Sequence, residues 1–353
     1  MASNFKPKRS QTISSQRTVR QSRVKQTGLP VPPFIKLVRL MICGLGINAI
    51  VGTTISVVNP PRQNITKKVA PALNNREIAN LKLTKPSLKL NQQLQAKLLR
   101  TTGSSTAKKS KLDASYIFVE IDSGEYSELG SDRVLPAAST IKLPILIALF
   151  QDIDAQKIKL TEQLTISDRT IAGGSGDLRN KKPGTQVSVL VAATKMMTIS
   201  DNTATNILID RLGGKAALNQ RFRTWGLKAT TINQPLPDLA GTNTTTATEL
   251  TRSILAIERG KIVSAASRAQ ILNMMSRTTR NTMLPKGLGV GAKIAHKTGD
   301  IGTLIADVGS IESPSGKKYL AAVLVKRPHN SPAGPALIRQ MSKIVYDYFE
   351  PGK

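Results

Sequence analysis

The sequence predicts an α+β domain: a five-stranded antiparallel sheet flanked by helices, with a helical subdomain, preceded by one N-terminal transmembrane helix. Three observations carry this prediction. Strand-like runs come in two groups, two soon after residue 112 and three after residue 290, with mostly helical periodicity between them. The chain closes on a strongly amphipathic segment. Near its start, Leu40 to Val58 form 19 residues without a charge, close to the roughly 20 apolar residues that span a bilayer as a helix.

Residues 1–39 hold nine Lys/Arg and no acid, a basic arm that the positive-inside rule keeps in the cytoplasm. The span itself is only moderately apolar, since it contains Gly44, Gly46, Asn48, Gly52, Thr53, Thr54 and Ser56. Residues 40–58 read as a signal-anchor: single-pass in the cytoplasmic membrane, with the following domain on the periplasmic or extracellular side. A cleaved signal peptide is the rival reading, opposed by the long basic arm and by the lack of a small-x-small site after Val58. Residues 59–111 form a basic linker, opened by Pro60-Pro61 and closed by Gly103-Ser104-Ser105. Within it Leu88, Leu90, Leu94, Leu98 and Leu99 recur at helical spacing and predict one amphipathic helix over about 87–101.

The globular domain is expected over 112–353. Ser115 to Ile121 reads as a strand, and Asp122-Ser123-Gly124-Glu125 as the turn into a second. The apolar run Leu143 to Phe150 predicts a buried helix. Val189–Ile199 and Thr203–Leu212 are further helical runs, and Thr246-Ala247-Thr248-Glu249 has the form of a capping box opening another. Ala292–Thr298, Leu304–Ile311 and Tyr319–Val325 read as three late strands. A last helix, about 335–349, places Leu337, Ile338, Met341, Ile344, Val345, Tyr348 and Phe349 on one face. The helical subdomain spans about 139–290, and a cleft is expected between it and the sheet.

The formal net charge of +29 invites a nucleic-acid reading, but its distribution argues against one. Residues 1–112 hold 21 Lys/Arg and one acid, Glu77, whereas residues 113–353 hold 30 Lys/Arg and 21 acids. Most of the charge sits in the arm, which could also meet anionic lipid headgroups. Cys43 is the single cysteine and there are two histidines, His296 and His329, so no intrachain disulfide forms and a protein zinc site is not expected. His296 reads as a packing residue. No metal or cofactor is called for, and the domain reads as a monomer.

Three short strings carry chemistry: Ser139-Thr140-Ile141-Lys142, Ser200-Asp201-Asn202 and Lys297-Thr298-Gly299. Ser-x-x-Lys alone is cheap, since it recurs at Ser3/Lys6, Ser22/Lys25, Ser105/Lys108 and Ser315/Lys318, but the other two strings occur once each. Ser139 opens the buried helix, where residues three apart share a face, so Lys142 is expected to reach its hydroxyl. A serine needs an adjacent base, and a lysine serves if burial or a nearby cation, here Lys297, depresses its pKa. Ser200 is placed to pass a proton to a leaving amine, Asn202 to hold the substrate's acyl side chain, and Asp201 to tie down the loop. Lys297 and Thr298 suit a substrate carboxylate, and Gly299 permits close approach to the backbone. Pro144, about one turn into the helix, predicts a local irregularity there.

The ordered triple, with about 60 and then about 97 residues between its members, resembles the signature of serine β-lactamases and penicillin-binding proteins, most closely the class A β-lactamases. The resemblance covers about residues 87–353. It implies the sheet-plus-helical-subdomain fold, an acyl-Ser139 intermediate on a β-lactam or peptidoglycan-peptide-like substrate, and a second oxyanion-hole N–H from Asp300, where the family usually has a small residue. It also implies a deacylating Glu in a Glu-x-x-Leu-Asn string, and here the sequence departs. The loop Thr231 to Thr245 contains no Glu, and its only acid is Asp238, left open as a substitute base. No arginine stands in the strand after Gly299 to grip a carboxylate. The expectation is a serine hydrolase that acylates on β-lactams, with deacylation impaired; the alternative is a penicillin-binding, DD-peptidase-like or esterase activity on the same fold.

Overall fold

A computed structural model of the chain describes residues 88–350. The basic arm, the 40–58 span and the linker up to residue 87 lie outside the described residues. Among the described residues no helix is long and apolar enough to cross a membrane.

The described chain begins with β1 (Lys89–Leu90), α1 (Gln92–Thr102) and α2 (Ser105–Lys109). β2 (Asp113–Glu120) and β3 (Glu125–Leu129) form a hairpin, and β4 (Leu135–Pro136) leads into a 3-10 turn, Ala138–Ile141, and then α3 (Lys142–Asp154). The helical subdomain continues through β5 (Gln163–Thr165), β6 (Gln186–Ser188), α4 (Val189–Thr198), α5 (Asn202–Arg211), α6 (Gly214–Thr224), β7 (Thr244–Thr245), α7 (Ala247–Glu258) and α8 (Ala265–Ser276). β8 (Lys293–Asp300), β9 (Leu304–Glu312), β10 (Lys318–Lys326) and α9 (Ala333–Phe349) complete it.

The main sheet has the order β1-β3-β2-β10-β9-β8. Five strands are antiparallel, as predicted, but β1 adds a sixth, parallel to β3 through Lys89↔Glu125 and Leu90↔Tyr126. The predicted helix over 87–101 misses this for a definite reason. Asn91 is the N-cap of α1, its Oδ1 accepting the Leu94 N–H at 2.8 Å. A helix does not run back past its cap, so Leu88 and Leu90 are released from it and the backbone pairs with β3 instead. Leu94 and Leu98 are fully buried, and α1 packs on the sheet with them, as expected of an amphipathic helix docked on the domain.

β10 shows how pattern becomes packing. Successive strand residues face opposite sides, and β10 is a central strand with helices over both faces. Tyr319, Ala321, Val323 and Val325 enter one core with Leu94 and Leu98 of α1 and Leu337, Ile338, Met341 and Val345 of α9. Leu320, Ala322 and Leu324 enter the other with α3 and α7. Both faces are apolar, so β10 reads as a continuous apolar run rather than an alternating one.

α3 is the hub of the second core, with Lys142 through Phe150 all buried. The irregularity predicted from Pro144 is the 3-10 turn. Because the α-helix restarts at Lys142, Pro144 falls in its first turn, where a missing N–H removes no helical bond. The cost that proline exacts in a helix interior is thereby avoided.

Burial assigns α1 a share of the stability. Leu98→Ala should destabilise the domain by about 2–5 kcal/mol, measured by denaturant unfolding. A change near zero would mean that α1 is a detached linker helix.

Candidate active site

The three strings converge where α3, the α4–α5 junction and β8 meet. Lys142 donates from Nζ to Ser200 O at 2.6 Å, Ser200 Oγ at 3.0 Å and Asn202 Oδ1 at 2.8 Å. Lys297 donates to the same Ser200 Oγ at 3.2 Å and to Thr298 O at 2.9 Å. Both lysine side chains are fully buried, whereas Ser139 and Ser200 are partly exposed. One hydroxyl therefore sits between two buried amines, open to the cleft.

Burial is the larger cause that holds Lys142 well below the ordinary lysine range; the Lys297 charge adds to it and Asp201 opposes it. Burial likewise lowers Lys297, to about 7, with Asp307 opposing the fall and Arg280 adding to it. The sequence expects Lys142 to reach the Ser139 hydroxyl, but here its three partners all lie in Ser200-Asp201-Asn202. In its neutral form Lys142 would donate only twice, which the Ser200 carbonyl and the Asn202 amide oxygen would satisfy. Its lone pair would then be left for a hydroxyl. Catalytic hydrogen bonds are often loose before substrate binds.

The local backbone is strained at two of the strings. Ala138 (φ 47°) and Ser200 (φ 58°) are non-glycine residues in the left-handed region, at a cost of order 1–3 kcal/mol each. At Ser200 the surroundings over-determine the conformation. Lys142 holds its carbonyl, and the Asp201 N–H donates to Lys195 O at 3.1 Å. Asp201 caps α5 through the Ala204 N–H at 2.8 Å, and its Oδ2 accepts the Asp177 and Leu178 N–H groups at 2.8 and 2.9 Å. It does tie down a loop, as the sequence suggests. Asn202 bridges Lys142 and the Gly173 carbonyl, the latter at 2.9 Å. Its amide thus orients the lysine before it can meet any substrate.

Gly299 brings β8 against the backbone at Ser139. A Cβ there would lie 3.0 Å from Ala138 Cβ, 3.1 Å from Ser139 N and 3.2 Å from Thr140 Cγ2. The Ser139 N–H belongs to the first turn of its helix and has no helical acceptor, so it is available to a developing oxyanion between the two segments.

Asp300 turns its carboxylate away from that point. Oδ1 accepts from Arg327 Nη2 at 2.6 Å and the Gly302 N–H at 2.9 Å, and Oδ2 from Arg280 Nη2 at 2.8 Å. Burial raises its pKa, but the Gly302 N–H and the two guanidinium groups outweigh burial and hold it low. No sequence motif marks Arg280 or Arg327; they reach Asp300 from the segment before β8 and from the end of β10. Arg280 remains 45% exposed and precedes β8, whereas the strand after Gly299 is where the resemblance places an arginine.

Asp238 and Glu249 both serve the loop between α6 and α7. Asp238 accepts from Gln234 Nε2, from the Thr242 N–H at 3.0 Å and hydroxyl at 3.1 Å, and from the Asn243 N–H at 2.6 Å. Burial raises its pKa, and these donors outweigh burial, leaving it lowered. Its geometry is that of a loop brace. Thr246 caps α7 by accepting the Glu249 N–H at 3.0 Å. The Glu249 carboxylate completes no capping box; it binds the Ala229 N–H at 2.9 Å and the Thr230 N–H and hydroxyl at 2.7 and 2.6 Å.

A model of the β-lactamase enzyme family matches residues 90–349. The chain belongs to that family. It is a class A β-lactamase-like serine hydrolase. A solved structure of a PBP-A point mutant, in an acyl-enzyme complex with penicillin G, shares 47% identity, covers 75% of this chain and 99% of its own, and superposes with a TM-score of 0.73. β-Lactamase BRO-1 of Moraxella catarrhalis is 28% identical over 59% of this chain and 69% of its own length. The extended-spectrum β-lactamase PER-1 of Pseudomonas aeruginosa is 26% identical over 60% and 75%.

The close approach at Gly299 gives a test. Gly299→Ala should fold but be acylated more slowly, by less than the roughly 100-fold that a displacement of about 1 Å at a reacting centre costs, because the Cβ contacts of 3.0–3.2 Å ask only a small shift of the neighbours. Stopped-flow acylation beside a thermal melt reads both, and an unchanged rate would remove Gly299 from the oxyanion geometry.

Proposed function

We propose that this enzyme attacks β-lactam amides through Ser139 and releases the resulting ester slowly. The observation that carries the reading is the Ser200 hydroxyl held 3.0 Å from Lys142 Nζ and 3.2 Å from Lys297 Nζ. Neutral Lys142 takes the Ser139 proton as Oγ bonds to the lactam carbonyl carbon. The Ser139 and Asp300 N–H groups hold the oxyanion. The proton returns from Lys142 through Ser200 Oγ to the lactam nitrogen as the C–N bond breaks. This leaves an acyl-Ser139 ester and a secondary amine on the opened ring. Lys297 and Thr298 receive the substrate carboxylate, and Asn202 its acyl side chain through whatever donor capacity Gly173 leaves free.

Hydrolysing the ester needs a base for water. The loop 231–245 contains no Glu, and Asp238 is engaged by its own loop. Slow release follows from that pair of facts. The PBP-A relative named above was captured with penicillin G as an acyl-enzyme, which supports the acylation half of the reading.

Full-length protein exposed to penicillin G should gain the mass of one intact penicillin, on Ser139, and keep it after free drug is removed. Ser139→Ala should gain none. Equal labelling of both proteins would refute the acylation reading, and loss of the adduct within seconds would refute slow release.

The reading includes placement. The 40–58 segment anchors the chain in the cytoplasmic membrane, with the hydrolase domain outside the cytoplasm, where β-lactams and peptidoglycan peptides are met. Deleting residues 1–58 should move the protein from the membrane pellet to the soluble fraction, and a pellet unchanged by the deletion would contradict the anchor.

A further inference from the structure

Behind the lysine pair, on the face of β8 opposite Lys297, runs a second buried polar chain. His296 and Asp307 are 1% and 0% exposed, with Nδ1 and Oδ1 2.8 Å apart. His296 Nε2 faces the Asn281 amide at 3.2 Å, and Asp307 Oδ2 accepts the Leu284 N–H at 3.1 Å. Room for the imidazole comes from β9. Gly309 pairs with His296, and a Cβ at 309 would stand 2.7 Å from His296 Cβ.

β8 is the last strand of its sheet, so no further strand fixes its outer edge. The segment 278–284 does so instead. Thr278 Oγ1 donates to His296 O at 2.7 Å, Arg280 holds Asp300, Asn281 meets His296, and Leu284 meets Asp307. Three of these four stitches fall on His296 or Asp307, the neighbours of Lys297 in β8 and across the β8–β9 ladder.

We propose that the His296–Asp307 pair is a positioning device for Lys297: it pins the open edge of β8 and places a carboxylate behind the strand that carries Lys297. Three elements bring titratable groups to Lys297: α3 brings Lys142, the 278–284 segment Arg280 and β9 Asp307. Asp307 favours the ammonium and Arg280 opposes it. Arg280 is itself partly neutralised by Asp300, and Asp201 opposes the lowering at Lys142. The catalytic consequence rests on the acylation mechanism proposed above; the effect on Lys297 does not.

Asp307 opposes loss of the Lys297 proton, so Asp307→Asn should make that proton leave at lower pH. Full-length protein carrying 13C at the lysine Cε positions, with the Lys297 signal assigned by its absence in Lys297→Arg, gives the titration itself. The Lys297 midpoint should fall by about one pH unit or more in Asp307→Asn, the size expected for removing a neighbouring opposite charge. The basic limb of the penicillin G acylation rate should fall with it, leaving the acidic limb in place. An unchanged midpoint overturns the proposal. Should Asp307→Asn not fold, the paired change H296Q/D307N keeps amide hydrogen bonds without the charge and carries the same test. A wild type that titrates as expected but takes no penicillin would refute the acylation reading alone.

Discussion

The structure depends on burying two amines around one hydroxyl. Lys142 and Lys297 are fully buried, and Ser200 Oγ joins them. Two like charges in a low-dielectric pocket cannot both persist cheaply. Burial lowers both lysines, with Asp201 opposing the fall at Lys142 and Asp307 opposing it at Lys297. In the reaction proposed above, Lys142 serves as the base and Lys297 as the cation. Much of the surrounding fold serves this pair: the strained Ser200 backbone, the Asp201 brace, the buried α3 and the pinned edge of β8.

This arrangement explains why the site is built across elements rather than on one. α3 brings Lys142 from the core outward, the α4–α5 junction supplies the hydroxyl, and an edge strand supplies Lys297. Each is rigid for its own reason: apolar packing for α3, capping for α5, and side-chain stitching for β8. A nucleophile beside a base of tuned pKa needs that rigidity, because geometry sets the rate as strongly as pKa does.

The strands, the buried helix and the final amphipathic helix are legible because apolar period maps directly onto burial, as β10 shows on both faces. The three strings are legible as a set and converge as expected. What the sequence hides depends on single contacts between distant segments. Asn91 is an ordinary cap, yet it ends α1 and so creates β1. Arg280 and Arg327 lie in no motif, and their meeting on Asp300 comes from the ends of different elements. A lone histidine next to a lysine carries no pattern beyond packing, and the partner of His296, Asp307, lies on the next strand. Lys142 binding the Ser-Asp-Asn segment instead of Ser139 follows from the Ser200 backbone conformation, which no sequence period reports.

The central claim is a protonation pattern, so the most direct measurement is the position of the protons. A neutron structure of the free enzyme at a pH of about 6.5, just below the point where Lys297 titrates, should show two hydrogens on Lys142 Nζ, three on Lys297 Nζ, and the Ser200 hydroxyl hydrogen directed at Lys142. Three hydrogens on Lys142 would contradict this pattern, because the base proposed to take the Ser139 proton would then be missing.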